Sequence, residues 1–200
     1  MKRTIAISMI LLMAIGCSSK GTGPAVPAPA ADAAQSAAVT AGPQAVQLAE
    51  YAFTFSAQTL DGDTVTEAVF GQHELTMVNV WASWCPPCRG ELGELGALYG
   101  RLPENVGFLS VTVDDADNLK DAKTLLKENN CAFPCLDGQG SAGLMSGFLK
   151  RVQAIPTTLF FDRSGNQVGG WIVGVPQGKG SVADAYLSEI QARLDLLKVK

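Results

Sequence analysis

Leu75-Thr-Met-Val-Asn-Val-Trp-Ala-Ser-Trp-Cys-Pro-Pro-Cys-Arg89 is the stretch whose reading settles the architecture. Its first eight residues, through Ala82, are apolar apart from Thr76 and Asn79, the pattern of a central strand covered on both faces. The run passes directly into Ser83-Trp84-Cys85, after which Glu91, Leu92, Leu95, Leu98 and Tyr99 follow helical spacing up to Gly100. Val106 to Val113 then reads as the next strand. Strand, helix, strand in that order predicts a right-handed parallel crossover, with the pair Cys85 and Cys88 at the start of its helix.

That position has a chemical meaning. Free N–H groups and the helix dipole favour a thiolate on the first cysteine, so Cys85 is the expected nucleophile. Cys88 lies one turn further in, close enough to close a tight ring with Cys85, and is the expected resolving thiol that expels a bound partner. Pro86 and Pro87 suit a first helical turn, but they remove two donors from the thiolate and so favour a more reducing couple. Glu91 shares a helix face with Cys88 at a spacing of three, which suits a partly buried carboxylate that accepts or returns the resolving thiol's proton. The other reading of Glu91 is a solvated surface carboxylate. Of the flanking tryptophans, Trp81 is expected in the core and Trp84 at a partner-binding surface.

Around this unit the rest of residues 47–200 reads as one α/β domain. Tyr51-Ala-Phe-Thr-Phe55 alternates, Asp61-Gly62 is a turn signal and Thr64-Val65-Thr66 restarts an extended run, predicting an N-terminal β-hairpin. Helices are expected over 118–128 and 142–149, with a short element at 133–136 between them. Thr157 to Phe161 is the next strand, Arg163 to Asn166 a turn, and Gln167 to Val173 an antiparallel return. Val182 to Leu197 closes the chain as an amphipathic helix capped by Ser181. The Ile155–Pro156 bond is of the kind that adopts cis, which would set a backbone turn against the Cys-x-x-Cys helix.

Together, VNVWASWCPPCR with Glu91, the Phe133-Pro134 pair, and IPTTLFFDRSGN followed by Val168-Gly169-Gly170 resemble the thioredoxin superfamily. Within it they resemble the TlpA/ResA-like exported, membrane-anchored thiol-disulfide oxidoreductases. The resemblance runs from about Tyr51 to the C-terminus. It implies a thioredoxin-like α/β fold, a central mixed sheet flanked by helices with an N-terminal hairpin extension. It also implies that Pro156 is the cis-proline beside the active site, that Ile155 offers its backbone to the substrate, and that Glu91 manages protons near Cys88. Trp84, Pro86, Pro87, Ile155 and Thr157 are the expected substrate-binding residues. Gly93 departs from the pattern, standing where the family usually has proline. Implied substrates are disulfide-containing exported proteins, apocytochrome c among them, with electrons from a thiol-type membrane donor.

Residues 1–16 read as an address. Lys2 and Arg3 precede an apolar run from Ile5 to Ile15, too short to span a bilayer and suited to a signal peptide. Ala14-Ile15-Gly16-Cys17 resembles the lipobox of bacterial lipoproteins, which implies that Cys17 is lipidated and becomes the mature N-terminus; the alternative is ordinary secretion with Cys17 as an odd thiol. Ser18 resembles the signal that favours the outer membrane in Gram-negative bacteria. Residues 17–46 form an Ala/Pro-rich tether, which as a flexible chain spans about 30 Å. The expected location is the bacterial cell envelope, lipid-anchored and facing the periplasm on the outer or inner membrane.

Composition narrows the function classes. Fifteen Lys and Arg stand against 19 Asp and Glu in 200 residues, with no basic block, so nucleic-acid binding is not expected. Removing Lys2 and Arg3 leaves 13 basic residues against 19, a net charge of −6. The single histidine, His73, precedes the cysteine motif, which argues against a Sco-type metallochaperone with a downstream histidine ligand; a surface loop suits it. A peroxiredoxin would need a Thr-x-x-x-Cys site, and haem attachment a Cys-x-x-Cys-His, neither of which occurs. The dithiol needs no cofactor and no metal. A disulfide-forming oxidant on the same fold and a non-catalytic thiol- or metal-binding module remain as alternatives to a reductase.

Cys131 and Cys135 have no role in the resemblance. Extended, they would lie about 13 Å apart, beyond disulfide reach, whereas a turn would bring them together. Their spacing in an exported chain leads us to expect a structural disulfide independent of the active site. Two buried reduced thiols, a second redox pair exchanging with Cys85 and Cys88, and a four-cysteine metal site stay open beside it.

Overall fold

The centre of the molecule is the strand β3, Leu75–Trp81, buried along its whole length. In this computed structural model, which describes residues 53–199, β3 pairs in parallel with β4 (Val106–Thr112) and antiparallel with β6 (Thr157–Asp162). Flanking strands complete a five-stranded mixed sheet of order β5-β4-β3-β6-β7, where β5 is Cys135–Asp137 and β7 is Ile172–Val173. The expected signal peptide, Cys17, the tether and the start of the first alternating segment at Tyr51 lie outside the described residues.

Helices cover both faces. On one face α1 (Pro86–Tyr99) and α4 (Val182–Lys198) lie against a core of Met77, Trp81, Cys88, Leu92, Leu95, Phe160, Tyr186 and Ile190. α2 (Leu119–Glu128) joins them through Ala122 and Leu126. α4 begins with a capping box in which Ser181 Oγ accepts from Asp184 N–H and the Asp184 carboxylate accepts from Ser181 N–H. On the other face α3 (Ala142–Ser146) and a 3-10 turn at Phe148–Arg151 pack beside the hairpin. The aromatic rings of Phe53, Phe55, Phe70, Phe148 and Phe161 fill that side. The result is the thioredoxin-like arrangement that the resemblance implies.

Three expected elements are shorter than the pattern suggests. The hairpin pairs Ser56–Gln58 (β1) with Thr64–Thr66 (β2), while Phe53 and Phe55 leave the ladder and insert their rings into the aromatic cluster. The helix expected over 142–149 breaks at Gly147, where a Cβ would sit 3.1 Å from the Phe53 ring. The return strand expected over 167–173 reduces to a bridge at Gln167 and the two residues of β7. Gly169, at φ +72°, turns the chain out of the sheet, and the Arg193 guanidinium donates to the Gly170 carbonyl at 2.8 Å. Alternating polarity alone does not register such interruptions.

α1 runs unbroken through Gly90, Gly93 and Gly96. Gly96 has a reason: a Cβ there would meet the Asn129 carbonyl oxygen at 3.0 Å and that of Asn130 at 3.2 Å, so the loop after α2 is packed directly on the helix backbone.

Candidate active site

α1 starts immediately after β3, and the turn between them is tied down from beneath. Asp114, fully buried just past β4, accepts from Ser83 N–H at 2.8 Å, from Ser83 Oγ at 2.7 Å and from Thr112 Oγ1. This holds Ser83 inward and leaves the next residue, Trp84, outward and 62% exposed. Trp81 is fully buried and Trp84 is the large exposed aromatic beside the motif, as their expected roles require.

Cys85 is the N-cap of α1 and Pro86 and Pro87 are its first two residues. Neither proline has an N–H, so the first free donor of the helix belongs to Cys88, and it points at Cys85 Sγ over 3.3 Å. Cys85 and Cys88 form a disulfide with Cα atoms 5.3 Å apart. Cys88 is fully buried and Cys85 nearly so. Facing Cys85 is the loop before β6: the Ile155–Pro156 bond is cis, and the Ile155 carbonyl oxygen lies 3.7 Å from Cys85 Sγ. Pro86 and Pro87 are exposed, Ile155 half-buried and Pro156 buried. Thr157 is buried and its hydroxyl donates to the Ala154 carbonyl at 2.7 Å, so its side chain is spent on the loop and does not face outward.

Two cavities open on either side of this turn. One, of about 320 Å³, is lined by Ser83, Trp84, Arg89, Asn118, Asp121 and Leu125. The other, of about 210 Å³, lies against Ile155, Ala154, Val152, Leu149, Met145 and Val113. A larger one of about 350 Å³, among Phe53, Phe148, Phe161 and Trp171, contains none of the expected site residues.

Glu91 is 1% exposed, which removes the reading of a solvated surface carboxylate. Tyr186 OH donates to its Oε2 at 3.0 Å, and Asn79 Nδ2 to its Oε1 at 3.2 Å. Burial pushes the Glu91 carboxyl up to about 7, against the pull of these two hydrogen bonds in the other direction. Sequence reasoning missed Asn79, Thr158 and Tyr186 as parts of the site. The signal available was Asn79 itself, a polar side chain in an otherwise apolar central strand.

The disulfide expected between Cys131 and Cys135 is not there; both are free thiols. Cys131, after α2, turns its thiol toward α1 and donates to the Leu92 carbonyl at 3.2 Å. Cys135 starts β5 opposite Ser110 and is buried with Trp81 in the core. Between them Phe133 is pinned edge-on against Phe108, with ring centroids 4.5 Å apart, so no turn draws the two sulfurs together. Burial raises both thiols to about 11, which makes them poor nucleophiles. In denaturant without reductant, alkylation should label Cys131 and Cys135 and leave Cys85 and Cys88 unlabelled. In native protein Cys135 should resist labelling; peptide mass spectrometry reads both results.

Comparison with known proteins agrees with this geometry. The sporulation thiol-disulfide oxidoreductase A of Bacillus subtilis (strain 168) is 30% identical over 114 residues, 56% of this chain and 66% of that protein. The thiol:disulfide interchange protein DsbE of Escherichia coli (strain K12) is 33% identical over 115 residues, 56% of this chain and 57% of that one. The chain thus spans between about half and two thirds of the length of these curated relatives. Among solved structures, a thiol:disulfide interchange protein of the thioredoxin family from Chlorobium tepidum TLS superposes with a TM-score of 0.57 at 26% identity. That match covers 71% of this chain and 94% of that one. The family model described as the AhpC/TSA family matches residues 48–167, a span that takes in both the Cys85–Cys88 turn and the cis-proline opposite it, and the chain belongs to that family.

Proposed function

We propose that this chain is an exported, lipid-anchored thiol-disulfide oxidoreductase that reduces disulfides in substrate proteins through Cys85 and Cys88. The observation that carries the reading is the Cys85–Cys88 disulfide at the start of α1, with the Cys88 N–H aimed at Cys85 Sγ and the cis-proline loop against it. Two relatives carry names of the same chemistry, thiol-disulfide oxidoreductase and thiol:disulfide interchange protein. A peroxidase site is disfavoured because the residues leading into Cys85, Trp81-Ala82-Ser83-Trp84, include no threonine to bind peroxide.

In the proposed cycle the dithiol form reacts. The Cys85 thiolate attacks one sulfur of a substrate disulfide, forming a mixed disulfide and releasing the other substrate sulfur as a thiolate that takes a proton. Cys88 then passes its proton to the Glu91 carboxylate, and its thiolate attacks Cys85 Sγ. The second substrate sulfur leaves as a thiolate and is protonated. Two electrons have moved to the substrate, and the protein is left as the disulfide described above. A thiol-type donor at the membrane restores the dithiol. Extended segments of exported proteins, apocytochrome c among them, would lie between Trp84 and Ile155, over Pro86 and Pro87, with the Ile155 backbone as their guide. The anchor would be Cys17, holding the domain in the cell envelope on the periplasmic side.

Acid-quenched thiol trapping on intact cells tests the direction of electron flow. A reductase kept charged by its donor shows Cys85 and Cys88 mostly reduced. A mostly oxidised pair overturns the reductase reading in favour of a disulfide-forming oxidant.

A further inference from the structure

Thr158 stands directly opposite Asn79 in the β3–β6 ladder, and Tyr186 of α4 reaches down to the same point. With Glu91 they close a ring. Asn79 Nδ2 is 3.2 Å from both Glu91 Oε1 and Thr158 Oγ1; Thr158 Oγ1 is 3.2 Å from Tyr186 OH; Tyr186 OH is 3.0 Å from Glu91 Oε2. All four residues are 1% exposed or less, so water does not complete the bonding of any of them.

Counting protons fixes the direction of every bond. A carboxylate accepts only, so Tyr186 must give its single proton to Glu91. Thr158 then gives its proton to the Tyr186 oxygen, and its own oxygen accepts one Asn79 N–H while the other goes to Glu91. The ring is satisfied, except that Asn79 Oδ1 is buried with no partner. Once Glu91 is protonated the requirement changes: the carboxyl becomes a donor, and the Asn79 amide nitrogen facing it accepts nothing. The proton therefore sits on Oε2, which gives it to the Tyr186 oxygen; Tyr186 turns its own proton to Thr158 Oγ1, and Asn79 Nδ2 goes on donating to Oε1.

We propose that Tyr186, Thr158 and Asn79 are positioning residues that hold the Glu91 carboxyl in both of its protonation states, the hydroxyl protons of Tyr186 and Thr158 turning over when the proton arrives. This rests on the reading of Glu91 as the group that takes the Cys88 proton. The groups facing the carboxyl are Asn79 from β3 and Tyr186 from α4, with Thr158 of β6 behind them; Cys88, on the same buried stripe of α1, is held in the disulfide and does not titrate in the oxidised chain. No ion pair to Glu91 occurs among the described residues. The buried Arg193 of α4 is engaged by Glu189 and lies over the Phe160 ring.

The test is carried out on the oxidised full chain by NMR, following the Glu91 carboxyl carbon and the Asn79 side-chain amide through a pH titration. In the unsubstituted protein both signals should move with one shared midpoint. Tyr186→Phe removes one donor to the carboxylate, and the Glu91 midpoint should rise by about 1–2 pH units. Thr158→Val, which leaves Tyr186 in place, should raise it by less and guards against a Tyr186→Phe variant that does not fold. An unmoved midpoint in the folded variants, or an Asn79 amide indifferent to Glu91 titration, would overturn the proposal. Since the titration needs no turnover, failure of the oxidoreductase reading would show separately, as absence of disulfide reduction in a protein whose Glu91 and Asn79 still titrate together.

Discussion

In the Cys88→Ser variant the reaction should stop halfway, leaving the protein covalently joined to its substrates. The reason is positional. Cys85 caps α1 between Trp84 and Ile155 and keeps a trace of exposure, whereas Cys88 is fully buried one turn further along, with its sulfur bonded to that of Cys85. An incoming disulfide therefore meets Cys85 first, and only Cys88 is placed to break the resulting bond. Removing Cys88 leaves attack intact and removes release, so mixed disulfides accumulate and turnover falls by about 10³-fold or more, since a serine hydroxyl does not replace the Cys88 thiolate as the nucleophile that attacks Cys85 Sγ. Cys85→Ser should lose turnover to the same extent and form no adduct at all. Non-reducing gels of envelope extracts, with the adducts identified by mass spectrometry, distinguish the two variants. Adducts through Cys88 in a Cys85→Ser protein would show that the assignment of the two sulfurs is reversed.

Glu91→Gln should act in opposite directions on stability and on turnover. The unfolded carboxyl loses its proton near the ordinary value of 4.5, while burial holds the folded one to about 7. Between these the unfolded chain binds fewer protons than the folded one, so stability falls as pH rises through the window and stays low above it. A difference of this size corresponds to about 3 kcal/mol. Glutamine carries no such titration. The stability of the variant relative to the unsubstituted protein should therefore improve by about 3 kcal/mol between pH 4.5 and pH 8, measured by denaturant unfolding of the oxidised forms. On the proposed role the same substitution removes the acceptor of the Cys88 proton, and release of the mixed disulfide should slow by about 10²-fold. A stability difference that is the same at both pH values would mean that Glu91 does not keep its proton on folding.

The two expected effects together would explain why position 91 carries a carboxyl where an amide would be more stable. An ionisable group buried at 1% exposure is a standing cost, offset here only in part by the hydrogen bonds from Tyr186 and Asn79. Proton exchange with a buried thiol needs such a group, and its burial brings its titration close to neutral pH. On the proposed role, stability is exchanged for proton handling at this one position, as expected of a functional site.

Much of this protein is local, and what is local was legible in the residues alone. The apolar run 75–82 identified the central strand, the helical spacing after it identified α1, and the direct junction of the two put Cys85 at a helix start. Glu91 followed from a spacing of three, and Ser181 from its place before an amphipathic run. Each depends on neighbours within a turn or two, where backbone geometry fixes who meets whom. Tertiary structure decided everything that depends on packing between distant segments. Asn79, Thr158 and Tyr186 are spread over more than a hundred residues and meet only because the β3–β6 register and the path of α4 superpose them. Phe53 and Phe55 look like an alternating strand until the aromatic cluster claims them. Cys131 and Cys135 look like a bridge, yet α1 draws one thiol and the sheet the other, and Phe133, locked on Phe108, keeps them apart. A spacing shows which contacts a chain allows, and the packed core selects among them, because each buried side chain has one place where its volume and its hydrogen bonds are both satisfied.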